Sequence, residues 1–202
     1  MSPSDLQARL RQAATLPGRP SSDYDLNPDA AGASGQPLRD AAVLIACRAG
    51  RAGAEVILTK RSSRLKHHPG QIAFPGGKID PEDDGPVAAA LREAREEVGL
   101  PVAQTLILGT LPAHETVTGF AVTPVLAWIE GAFAPVPEAG EVAEAFAVPL
   151  THLMAPEHYR IEARLWRGQL RRFYVVPYGP YYIWGATARM LRALADRMAQ
   201  CG

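Results

Sequence analysis

REAREEVGL, residues 92–100, sets three carboxylates, Glu93, Glu96 and Glu97, within five positions, with Arg92 and Arg95 on either side of the first. A helix advances about 100° per residue, so with Glu93 at zero Glu97 falls at about 40° and Glu96 at about 300°. The three share a face, while Val87, Leu91, Ala94 and Val98 gather between about 100° and 160° as an apolar stripe on the opposite side. The stretch predicts an amphipathic helix over 86–98, ended by Gly99 in a left-handed cap. Taken alone, its acidic face reads as solvated, because glutamate favours helices and Glu93–Glu97 repulsion in water costs only a few tenths of a kcal/mol. The alternative is a divalent cation among the carboxylates. Hard ions take oxygen ligands, and carboxylates at i and i+4 stack one turn apart, where both reach one ion.

Outward from the helix, FPGG (74–77) supplies a glycine turn whose backbone can approach a ligand, and DPEDDG (80–85) an acidic turn. AAVLIAC (41–47) and AEVILTK (54–60) read as strands joined by the hairpin connection RAGRAG. Further strand-like runs are TLILGTL (105–111), FAVTPVLAWI (120–129), YRIEARLW (159–166) and LRRFYVVPY (170–178). A last amphipathic helix over about 185–199 carries Met190, Leu191, Leu194 and Met198. Strands and helices mix without a regular βαβ alternation, which predicts an α/β fold with a mixed sheet packed between helices. At the N-terminus, Ser4 and Gln7 have the spacing of a capping box opening a helix with Leu6 and Leu10 on one face. Residues 17–38 are rich in Pro, Gly, Ser and Asp and read as a linker. The expected organisation is a helix and linker over 1–38 and the main domain over 39–202. The helix docks on the body or on a partner subunit, and a homodimer is left open.

With 47% apolar and 21% charged residues, the composition is that of an ordinary globular protein. Lys+Arg and Asp+Glu balance at 21 each, so no overall field recruits nucleic acid or an anionic membrane, though a local basic patch is compatible with that balance. No apolar run approaches the ~18 residues of a membrane span, and no membrane partner is expected. Cys47 and Cys201, far apart, argue against a disulfide framework or a zinc site and fit a reducing cytoplasm.

The glycine turn, acidic loop and R-E-A-R-E-E-V-G-L together resemble the Nudix box. That pattern runs Gly, five residues, Glu, seven residues, then Arg-Glu-apolar-x-Glu-Glu-x-Gly-apolar. The second half matches at every fixed position from Arg92 to Leu100. The first half departs twice: counted from Gly77, the acid is Asp83 rather than Glu, and eight residues separate it from Arg92. Residues 58–77, LTKRSSRLKHHPGQIAFPGG, are similar to the signature that precedes the box in the coenzyme A pyrophosphatase group. Leu58, Thr59, Arg61, Ser62, Gly70 and Phe74–Gly77 fall in register, and Lys66 stands where an arginine is usual.

The resemblance implies a Nudix-type α/β/α sandwich and metal-dependent hydrolysis of a nucleoside diphosphate derivative. Glu93 and Glu97, with Glu96 and the Gly77 carbonyl, would hold Mg²⁺ or Mn²⁺, and Arg92 would orient the box through an acid in the 80–84 loop. Glu96 or Glu97 would serve as general base, or an acid from a distant loop, for which Glu141 and Glu144 are candidates. Arg61 and Lys66, with Gly76 and Gly77, would bind the substrate, and His67 and His68 extend that basic cluster. The expected substrate is coenzyme A or its thioesters, cleaved to 3′,5′-ADP and (acyl-)4′-phosphopantetheine. Another nucleoside diphosphate derivative (nucleotide sugar, dinucleotide or damaged nucleotide) is the alternative within the family, and a non-catalytic nucleotide sensor the alternative outside it. His114 and Glu115 read as loop residues between strands, with an ordinary surface role preferred to lining the substrate cleft, and the aromatic run at 181–184 as core rather than a base-stacking platform.

Overall fold

The computed structural model describes residues 2–30, 37–65, 68–166 and 168–201. Strands, in chain order, are β1 (Ser21–Ser22), β2 (Arg39–Gly50), β3 (Gly53–Arg61), β4 (Ile72–Ala73), β5 (Gly76–Lys78), β6 (Thr105–Thr110), β7 (His114–Glu115), β8 (Phe120–Ile129), β9 (Val142–Pro149), β10 (Arg160–Trp166) and β11 (Gln169–Val175). Helices are α1 (Pro3–Thr15), α2 (Gly85–Val98), the single turn α3 (Leu150–Leu153) and α4 (Gly185–Met198). β1–β9 build one mixed sheet around the parallel pair β2–β8, which runs in register from Arg39↔Phe120 to Arg48↔Ile129.

Both faces of that central pair are covered, so its strands read as continuous apolar runs. Ala41, Ile45 and Cys47 with Val122, Leu126 and Trp128 face a core closed by α1 and α4. Ala42, Leu44 and Ala46 with Val125, Ala127 and Ile129 face the core under α2. This is the expected α/β/α sandwich with its mixed sheet between helices. The two strands also divide their outer edges. β2 pairs β5 over Ala41–Val43 and β3 over Cys47–Gly50, and β8 pairs β7 at one end and β6 at the other. Where β2 changes partner, the Leu44 amide donates to the Pro75 carbonyl at 2.8 Å, bringing the glycine turn to the sheet beneath α2.

Three sequence readings are corrected here. The helix α1 begins earlier than the Ser4 capping box implied. Ser2 Oγ accepts from the Asp5 amide and the Asp5 carboxylate from the Ser2 amide, both at 3.1 Å, because Pro3 at the first helical position has a preset φ and needs no N–H partner. Within the 17–38 stretch, Ser21–Ser22 pairs in parallel with His114–Glu115 as an edge of the main sheet. His114 is fully buried rather than a surface residue. Its Nδ1 bonds Ser21 Oγ at 2.9 Å and its Nε2 bonds Asp23 Oδ1 at 3.1 Å, which fastens the N-terminal segment to the sheet.

α1 docks on the body, with Leu6, Leu10 and Ala13 inside the larger core. Two arginines cross-brace it to α4. Arg9 donates to the Met198 and Cys201 carbonyls at the end of α4, and the buried Arg197 donates to the carbonyls of Ala13, Ala14 and Leu16 at the end of α1. Each guanidinium satisfies carbonyls that a helix end leaves without partners. Arg197→Met keeps the stem and strands those carbonyls, so we expect a loss of about 2–3 kcal/mol, read by urea denaturation.

Candidate active site

α2 forms where its periodicity predicts. Pro86 lies in the first turn, and Gly99 closes the helix in the left-handed conformation (φ 70°, ψ 34°). Its buried face, however, is Ala89, Ala90, Ala94, Glu97 and Val98, whereas Val87 and Leu91 are only partly buried. The alanines, having no bulk beyond Cβ, let the helix settle closely onto Ala42, Leu44 and Ala46 of β2. The carboxylates therefore do not lie opposite the anchoring face. They descend into it, with side chains 53% exposed at Glu96 and 18% at Glu93, and Glu97 4% exposed overall.

Burial raises the Glu97 carboxyl from its ordinary 4.5 to about 7, against the donated Gly76 amide (3.2 Å) and nearby Arg61 and with the charges of Glu93 and Glu141 adding to the rise. Burial also raises Glu93, and Arg92 opposes it. Arg92 spans the site. Its Nε and Nη2 form a fork on Asp83 Oδ1 and Oδ2 at 3.0 and 2.9 Å, and Nη2 also reaches Asp80 and the Lys78 carbonyl, both at 3.3 Å. Nη1 donates to Glu93 Oε1 at 2.9 Å and Glu96 Oε2 at 3.3 Å. Asp83 is held below the usual carboxylate range by that fork. Arg92→Lys keeps the charge but loses the two-pronged grip. We expect an about 10–100-fold drop in kcat with KM little changed, measured by steady-state hydrolysis.

The two glycines of the turn do different things. Gly76 has φ +154°, and a Cβ there would lie 2.4 Å from the Ala42 carbonyl oxygen and 2.6 Å from Val43 Cα. At Gly77 the three nearest atoms a Cβ would meet all belong to the Glu93 carboxylate, at 2.6–2.8 Å. The turn and the helix thus meet carboxylate against backbone.

Glu93, Glu96, Glu97, Arg92, Gly76 and Gly77 are brought together. They are not drawn onto a common point, however, and among the described residues no three His, Cys, Asp or Glu side chains converge as a ligand set. Arg92 holds Glu93 and Glu96 while the Gly76 amide holds Glu97. The donor set nonetheless fits a divalent cation, because burial disfavours the ionised form of two carboxylates one turn apart, and a hard cation would supply the missing compensation. Arg61 lies within electrostatic reach of Glu97, and its Nε is buried with no hydrogen-bond partner among the described residues. Lys66 and His67 lie outside the described residues.

The two distant acids separate. Glu141 acts electrostatically on both Glu93 and Glu97. Glu144 is not a loop residue: it sits on β9, opposite Lys60, and accepts from the Tyr181 hydroxyl at 2.5 Å. Strand β9 begins within the acidic, glycine-containing segment expected as a loop, and the even spacing of Val142, Phe146 and Val148, all buried, is its sequence signal. In the aromatic run, Tyr181 stacks on Phe146 with centroids 3.6 Å apart and Ile183 is buried, which makes this part packing.

A family model described as "NUDIX domain" matches residues 37–167. Among curated relatives, "Uncharacterized Nudix hydrolase NudL" of Citrobacter koseri is 42% identical over 158 residues, 78% of this chain and 81% of its own length. The protein of the same name from Escherichia coli (strain K12 / DH10B) is 40% identical over 157 residues, again 78% and 81%. Among solved structures, the Nudix hydrolase RenU of M. smegmatis superposes with a TM-score of 0.57 at 23% identity, covering 83% of this chain and 89% of that one. The MutT protein of Methanosarcina mazei Go1 gives 0.52 at 18% identity, covering 82% and 96%. These two likenesses carry the fold alone.

Proposed function

The chain belongs to the NUDIX domain family and is a Nudix pyrophosphohydrolase; from that premise we propose that it hydrolyses the diphosphate bond of coenzyme A or its thioesters. The products would be 3′,5′-ADP and 4′-phosphopantetheine or its acyl form. The observation that carries the substrate is Arg61, which belongs to the coenzyme A-type segment 58–77, stands within electrostatic reach of Glu97 and keeps a buried donor without a partner among the described residues. A diphosphate, anionic and rich in acceptor oxygens, suits that donor.

Nudix hydrolases generally use divalent metal ions, and we propose Mg²⁺ or Mn²⁺, held by Glu93 and Glu97 with Glu96 and the Gly77 carbonyl. When bound, the ion would neutralise phosphate charge and lower the pKa of a water. Arg92, through its fork on Asp83, holds the helix at a set distance from the acidic turn and orients Glu93 and Glu96, to which it also donates. Arg61 and Lys66 orient the phosphates, and Gly76 and Gly77 admit them close to the backbone. Glu141, rather than Glu144, takes the proton of the attacking water, since its charge reaches the Glu93–Glu97 pair while Glu144 is tied to Tyr181.

The test is turnover of coenzyme A, acetyl-coenzyme A, a nucleotide sugar and a dinucleoside polyphosphate by the purified protein with Mg²⁺ or Mn²⁺, products separated by chromatography. Coenzyme A or a thioester should show the highest kcat/KM. A higher value on another nucleoside diphosphate derivative overturns the substrate, and metal-independent binding without turnover overturns the enzyme. Glu141→Gln should lower kcat more than Glu144→Gln; the reverse order reassigns the base.

A further inference from the structure

β10 and β11 pair only with each other, as a separate hairpin beside the main sheet. The register Ile161↔Tyr174, Ala163↔Arg172 and Leu165↔Leu170 sets those six residues on one face. Arg160, Glu162, Arg164, Arg171 and Phe173 lie on the other. The charged face is the one held by the body. Arg164 lies 5.5–5.8 Å from the ring centroids of Phe173, Tyr182 and Trp184, Glu162 accepts from the Tyr182 hydroxyl at 2.6 Å, and Arg171 lies 5.8 Å over Tyr24. Beyond Tyr174, which packs against the larger core, the aliphatic face is open, with Leu165 75%, Leu170 57% and Ile161 53% exposed. A hairpin whose open face carries aliphatic side chains and Arg172 but no carboxylate has the pattern of a docking surface.

Charge and area together select the occupant. The two strands carry Arg160, Arg164, Arg171 and Arg172 against Glu162 alone, in a chain whose charges balance at 21 and 21. Of the four, Arg172 is exposed on the open face, where no carboxylate accompanies it, while Arg160 and Arg164 lie on the face toward the body. Whole-chain neutrality, which argued against a membrane, averages over this segment. Seven paired positions at ~3.4 Å each, on two strands ~4.8 Å apart, offer on the order of 250 Å², far below the ~800 Å² a partner contributes to a stable protein interface. A lipid surface sets no such threshold. A few aliphatic side chains at the acyl boundary, with long arginines reaching anionic headgroups, suffice for reversible attachment.

We propose that the β10–β11 hairpin docks the enzyme on an anionic lipid surface, with Leu165 and Leu170 entering the acyl boundary and Arg172, on the same face, meeting the headgroups. None of these residues belongs to the hydrolytic site. The full chain is floated with phosphatidylcholine vesicles with or without phosphatidylglycerol. Binding should require phosphatidylglycerol and fall with salt. Leu165→Asp/Leu170→Asp should weaken it about tenfold or more, and Arg172→Glu several-fold, both keeping wild-type circular dichroism and hydrolysis rates. Absence of flotation on either vesicle overturns the proposal, as does flotation undiminished in both variants. A concentration-dependent dimer abolished by Leu165→Asp/Leu170→Asp, without flotation, assigns the face to a second copy.

Discussion

Glu97→Gln is expected to cut turnover by about 10³-fold or more and, in the same molecule, to make the metal-free protein more stable above pH 7. Both effects come from one buried carboxyl. Its folded-state pKa is raised from 4.5 to about 7, chiefly by desolvation. The favourable contribution of the protonated form is complete below pH 4.5 and is lost as pH rises through about 7, where the unfolded chain is ionised in water and the folded chain must ionise in place. A neutral amide escapes that loss. Under EDTA, the variant should therefore exceed wild type by about 2–3 kcal/mol at pH 8, the gap closing as pH falls toward 4.5. Urea denaturation across that range reads it, and a gap independent of pH sinks the account. Millimolar Mg²⁺ should stabilise wild type far more than the variant, because a cation that binds only the folded ligand set shifts stability by mass action. Stability given up for a functional charge is the pattern expected of a catalytic carboxylate.

Gly76→Ala and Gly77→Ala, neighbours in sequence, should part company completely. At Gly76 the new Cβ collides with backbone of β2, 2.4 Å from the Ala42 oxygen, at a φ of +154° that a side chain rarely adopts. Backbone in a sheet cannot step aside, so about 4 kcal/mol or more of stability should be lost, enough to leave little folded protein. At Gly77 the nearest obstacle is the end of the Glu93 side chain. It can rotate away, so the fold should survive within about 1 kcal/mol while kcat falls about 10–100-fold as Glu93 is displaced. Thermal denaturation and steady-state rates separate the two, and equal losses of stability would show that both glycines serve only the turn.

Much of this was legible in the chain. The 3.6-residue period and Gly99 define α2, the unbroken apolar runs at 41–47 and 120–129 mark strands buried on both faces, and the spacing of FPGG and REAREEVGL brings a glycine turn to a carboxylate helix. These are local properties, written in residues a few positions apart. A helical wheel gives angles but no depth, and depth separates the three glutamates: the alanine face sinks Glu97 and leaves Glu96 in water. Asp83 looked out of register by one residue, yet the turn of 80–83 delivers it to Arg92 in a two-pronged grip. Glu141 and Glu144 are indistinguishable in sequence until β9 forms and Tyr181 takes one of them. The hairpin at 160–175 reads as two amphipathic strands, and only its contacts with Tyr24, Tyr182 and Trp184 decide which face meets solvent. Sequence thus determined which residues share a face, because that follows from backbone geometry alone. Tertiary structure decided which face is dry and which charge meets which partner, because desolvation and Coulomb energy depend on neighbours from distant parts of the chain.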